Sequence, residues 1–139
     1  MCEYCGCRRI PEIERLGREH ESIVEIADEA YAQRDDRAAR NALLDRLREA
    51  LVPHAEREER GVFAEARRVG MGGWYVADLE DDHRRFKEVL DDPASLDVPA
   101  MVRLLEDLDR HIAIEEYEVF PAAVARFDED QWNAIDARG

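Results

Sequence analysis

The stretch HIAIEEYEVFP, residues 111–121, decides the fold. Its apolar residues recur at helical spacing, yet His111 and Glu115 stand on the inward stripe, where aliphatic side chains belong. Residues 54–63, HAEREERGVF, repeat the pattern: His, three residues, Glu-Glu, two residues, Val-Phe. The two segments agree at five of ten positions. An imidazole and a carboxylate aimed into a core, twice, need a chemical reason.

Working outward, helical spacing runs through nearly the whole chain. A first helix is expected over 11–33, with Ile13, Leu16, Ile23 and Ala27 on its inner stripe and Pro11 in its first turn. A second covers 37–68 with Asp36 as N-cap, and Pro53 should kink or break it. VGMGGW, 69–74, is a turn signal, a third helix spans 74–90, and DDPASLDVP is a loop in which Asp97 caps the next helix. That fourth helix runs over 98–126 with a kink expected at Pro121, and Asp128 with Gln131 forms a capping box for a short terminal helix. No segment alternates as a strand does. The fold class is therefore all-α: an antiparallel up-down four-helix bundle, residues 11–139, preceded by a cysteine-bearing tail, residues 1–10.

The chain has four histidines, one to each main helix. His20, His54, His83 and His111 each replace an apolar residue on the inward stripe, and Glu58 and Glu115 follow two of them by one turn. Any one of these alone reads as an ordinary buried polar group. Burying all six together is expensive, because an uncompensated buried ion costs several kcal/mol. A metal centre with four nitrogen donors and two carboxylates satisfies them all. Two ions, each taking two histidines and sharing both glutamates, use the whole set. Imidazole with carboxylate suits iron, manganese or zinc. No His-Glu-x-x-His occurs, so a zinc peptidase has no support.

The order His20, His54-x-x-x-Glu58, His83, His111-x-x-x-Glu115 resembles the hemerythrin-like, or HHE cation-binding, domain over residues from about 12 to 126. The resemblance implies a four-helix bundle with a non-haem di-iron site, an oxo or hydroxo bridge, and Glu58 and Glu115 as bridging carboxylates. Oxygen-carrying hemerythrins have a further histidine one turn before the third-helix ligand, where this chain has Leu79, and end the fourth-helix motif with an aspartate where Glu116 stands. That departure implies an open or solvent-filled metal position, which favours reactivity or sensing over simple oxygen carriage. Tyr31, Tyr75 and Tyr117 are candidates to fill it. Glu59 and Glu116 lie about 100° round their helices from the ligands and read as solvated.

The expected function is to bind, sense or react with a small diatomic or peroxide: O2, NO or H2O2. The alternative is iron handling (storage, sensing or donation for iron–sulfur cluster repair) through Cys2, Cys5 and Cys7, the only cysteines, beside Arg8 and Arg9. Three thiols are one short of a tetrahedral site, so they read as a reduced tail, a redox pair, or ligands completed elsewhere. A structural bundle with zinc or no metal is the third possibility. A net charge of −14 argues against nucleic acid and anionic membrane partners. No apolar run reaches bilayer length and MCEYCGCRRI has no apolar signal core, which makes the cytoplasm the expected compartment.

Overall fold

Three aspartates set helix starts by the same local chemistry. Asp36 accepts from the Ala39 N–H, Asp97 from that of Ala100 and Asp128 from that of Gln131, whose side chain returns a bond to the Asp128 N–H. Each such cap is worth about 1 kcal/mol. The computed structural model describes residues 10–71 and 73–139, the side chains of 73–75 excepted, so Cys2, Cys5, Cys7 and the Tyr75 side chain lie outside it. The elements are α1 (Pro11–Ala32), α2 (Arg37–Arg60), α3 (Val62–Arg68), α4 (Gly73–Leu90), a 3-10 turn (Pro93–Ser95), α5 (Val98–Ile114), a π turn (Glu115–Val119), α6 (Phe120–Arg126) and α7 (Glu129–Arg138). Among the described residues there is no strand. None of their helices is long and apolar enough to cross a membrane.

Pro53 does not break α2. The helix continues through it and stops at Gly61 (φ −101°, ψ −100°). Pro53 and Glu49, whose carbonyl loses its N–H partner, both lie on the exposed side, where water replaces the bond. At Gly61 the chain meets α7: a Cβ there would stand 3.0 Å from Ile135 Cγ2. The fourth helix is interrupted at the matching place by the π turn, and Pro121 comes directly after it in α6. A proline ring clashes with the carbonyl four residues back in a regular helix, so it suits a segment that has already widened.

α1 packs on α2, α2 on α4, α4 on α5, and α5 on α1, closing a ring of four, with α7 laid against α1 and α3. The core divides into two apolar clusters. Ile13, Leu16, Phe63, Leu79, Phe120 and Ile135 belong to one. Ile23, Leu47, Leu51, Phe86, Leu104 and Leu108 belong to the other. Along α1, along α2 and α3, along α4, and along α5 and α6, the histidine falls between residues of one cluster and residues of the other. The polar residues thus share a single buried layer with an apolar wall on either side.

Candidate metal centre

All six sequence-predicted residues are buried, and Glu58 and Glu115 have no exposed surface at all. The helices bring them together from four sides. His20 Nε2 lies 3.0 Å from Glu115 Oε1 and 3.6 Å from Glu58 Oε2. His54 Nε2 is 3.3 Å from Glu58 Oε2, and His83 Nε2 is 3.2 Å from Glu58 Oε1. His111 Nε2 is 3.3 Å from Glu115 Oε1. The donors fall into two groups of four, His20, His54, Glu58, Glu115 and Glu58, His83, His111, Glu115, each with donor atoms within 4.8 Å of one another. Both groups use both glutamates.

The opposite nitrogen of each ring is held from outside. His20 Nδ1 faces Glu116 at 3.2 Å, His54 Nδ1 faces Glu19 at 2.7 Å, His83 Nδ1 faces Glu59 at 3.2 Å, and His111 Nδ1 faces Asp82 at 3.0 Å. A carboxylate accepts, so each Nδ1 carries the proton and donates. Once a metal displaces the second proton, Nε2 is the lone pair that faces inward, the arrangement found behind metal-ligating histidines. Inside, His54 Nε2, both oxygens of Glu58 and Glu115 Oε2 have no hydrogen-bond partner. Four unpartnered buried polar atoms cost several kcal/mol unless a cation completes them. The donor set therefore fits a metal.

The hemerythrin HHE cation-binding domain model matches residues 12–123. This chain belongs to that family. Comparison with curated proteins and with solved structures gives no match. The family is a cation-binding one, and the four histidines and two glutamates could hold a metal ion.

The internal repeat of this hemerythrin-like chain acquires a physical meaning. Phe63, closing the first repeat, stacks on His83 with ring centroids 5.7 Å apart, and Phe120, closing the second, stacks on His20 at 5.8 Å. The second glutamate of each Glu-Glu pair holds a histidine on a neighbouring helix. Glu116 and Glu59, expected to be solvated, are instead partners of His20 and His83, and Glu116 is only 8% exposed. The π turn is the reason for Glu116: its wider turn keeps Glu115, Glu116 and Val119 all buried. Glu19 and Asp82 were missed. Their signal was present, since an acidic residue precedes both His20 and His83.

Leu79 lies in an apolar cluster, 2% exposed, where the oxygen carriers have a ligand. Tyr31 and Tyr117 are 47% and 62% exposed, outside the buried layer that holds the six residues.

Electrostatics reflect the geometry. Burial opposes charge on every imidazole, but the carboxylates outweigh it. His54 is raised to about 9 by Glu58 and Glu19, His83 to about 10 by Glu58 and Glu59, and His111 to about 9 by Glu115 and Asp82. His20 is raised too, through Glu115, Glu116 and Glu58. Burial alone would lift Glu58, yet His54, His20 and His83 hold it well below the usual carboxylate range. Metal binding therefore competes with protons here.

Proposed function

We propose that the chain holds two iron ions and uses them to bind, sense or react with a small molecule, O2, NO or H2O2. His20, His54, His83 and His111 serve as nitrogen ligands, and Glu58 and Glu115 as carboxylates shared by both ions. The observation that carries this is the pair of four-donor groups with two glutamates in common. We further infer that the four helices run alternately up and down. The support is the order in which each crosses the two clusters: Ile13 before Ile23 on α1, Leu47 before Phe63 along α2 and α3, Leu79 before Phe86 on α4, and Leu104 before Phe120 along α5 and α6.

Iron held by these six residues would supply the redox chemistry. The protein's own residues do the rest. The outer carboxylates fix each imidazole in one tautomer and one orientation. The apolar clusters on both sides of the layer keep it dry. Leu79 brings no donor to the layer, which supports an open position on the His83 side.

The test is metal content per chain, then the visible spectrum of anaerobically reduced protein before and after air. About two irons per chain with bands that appear on oxidation is the expected result. One zinc, or no metal and no band, sinks the proposal.

A further inference from the structure

The two halves of the bundle place matched residues at matched positions, and two cavities open at matched places. One, of about 380 Å³, lies between α1 and α5 and reaches His20 and Glu116. The other, of about 200 Å³, lies between α2 and α4 and reaches His83 and Glu59. Each therefore leads from solvent to one histidine and to the carboxylate holding its Nδ1.

Their charges differ. The α1–α5 cavity is lined by Glu21, Glu25 and Asp28 besides His20 and Glu116, with no arginine or lysine among the described residues that line it. Glu25 and Asp28 have no charged or hydrogen-bonded partner among the described residues. At the α2–α4 cavity Arg84 and Lys87 balance Glu56 and Glu59. Acidic side chains at a mouth do not by themselves call for a cation. The second observation is what lies behind His20: both Glu58 oxygens and Glu115 Oε2 are buried with no hydrogen bond, with the Glu115 carboxylate 3.0 Å from His20 Nε2 through its other oxygen.

We propose that divalent metal ions load the centre through the α1–α5 cavity. Glu25 and Asp28 draw the ion to the mouth, and Glu116 is the first buried carboxylate it meets before passing His20. The charge-balanced α2–α4 side offers a cation no such pull. This inference rests on the metal-centre reading, but it concerns the rate of loading rather than the final occupancy. Carboxylates such as Glu25 and Asp28 at a cleft mouth raise the association rate of a cation, and salt screens the effect.

The experiment mixes the metal-stripped full chain with Co²⁺ alone and follows uptake by stopped-flow absorbance, with metal content measured at saturation. In about 10 mM salt, Glu25→Gln with Asp28→Asn should slow uptake about 3–10-fold. The difference should close near 1 M salt, where the screening length falls to about 3 Å. Saturating metal content should stay unchanged. Glu56→Gln removes an acidic charge from the α2–α4 cavity and should leave the rate within about twofold of the parent. Val24→Phe, which narrows the α1–α5 cavity, should slow uptake at every salt concentration. Equal slowing by the Glu25/Asp28 and Glu56 variants, or by neither, overturns the proposed route. A parent chain that binds no metal overturns the metal centre itself, a result readily told apart from a change in rate.

Discussion

His83 Nε2 and His111 Nε2 stand 3.0 Å apart at the middle of the bundle, each ring held from behind by a carboxylate. With the protons on Nδ1, two lone pairs face each other. Only a proton or a metal ion between such groups relieves the contact. In metal-free protein protonation relieves it: against the cost of burial, the surrounding carboxylates favour it, Glu58 and Glu59 raising His83 to about 10 and Glu115 and Asp82 raising His111 to about 9. A pKa raised on folding adds stability that is complete below the ordinary histidine value of 6.5 and is lost as pH climbs through the folded value. Metal-free protein should therefore lose melting temperature between pH 6.5 and about 10. Loaded protein should be far less affected there, because rising pH favours the deprotonated ligands. Parallel melting profiles for the two forms would contradict this account.

Glu58 belongs to both donor groups, whereas His54 belongs to one. Glu58→Ala should cost both metal ions, and His54→Ala should chiefly cost the one on its own side. Metal analysis after dialysis checks this. Equal retention of one ion in both variants would remove the shared-carboxylate assignment.

Glu19 holds His54 at 2.7 Å and is itself held by Arg57 at 2.7 Å, while Asp82 holds His111 at 3.0 Å. Glu19→Gln and Asp82→Asn should keep the fold but weaken metal binding about 10–100-fold, the usual penalty for losing the group that orients a ligand. Competition with a chelator measures it. Affinities equal to the parent would mean that these carboxylates only decorate the histidines.

Glu65, 1% exposed, ties α7 to α3, accepting from Arg68 Nε at 2.9 Å, Gln131 at 3.1 Å and Arg138 at 3.1 Å. Arg68 above all, with Arg138 and Gln131 adding to it against the cost of burial, brings its carboxyl down to about 2. A depressed pKa contributes stability that is present above the ordinary 4.5 and is lost as pH falls toward 2. Both arginines are partly in water, so Glu65→Ala should cost only about 1–2 kcal/mol at neutral pH. The gap from the parent should shrink between pH 4.5 and 2 in urea unfolding. A gap that stays constant through that window would show that the charge is irrelevant to how α7 is held.

Helical periodicity, three aspartate caps and one histidine per helix were enough to place the helices and to single out six inward polar residues. Those features are legible because they are local: spacing along one chain decides which face a side chain takes. Whether Glu59 and Glu116 faced water or a neighbouring histidine was not local. An ideal helix turns them away from the site, and only the π turn on one helix and the packing of α2 against α4 bring them to their rings. The same holds for Glu19 and Asp82, whose value depends on a histidine 35 and 29 residues away. Pro53 reads as a kink or break because sequence carries no record of exposure, while Gly61 is the break, where α7 folds back onto it. The sequence by itself determined an all-helical chain with six metal-type donors on its inner faces. Only the tertiary structure decided how four separate turns meet in one dry layer, since that depends on contacts between helices far apart in the chain.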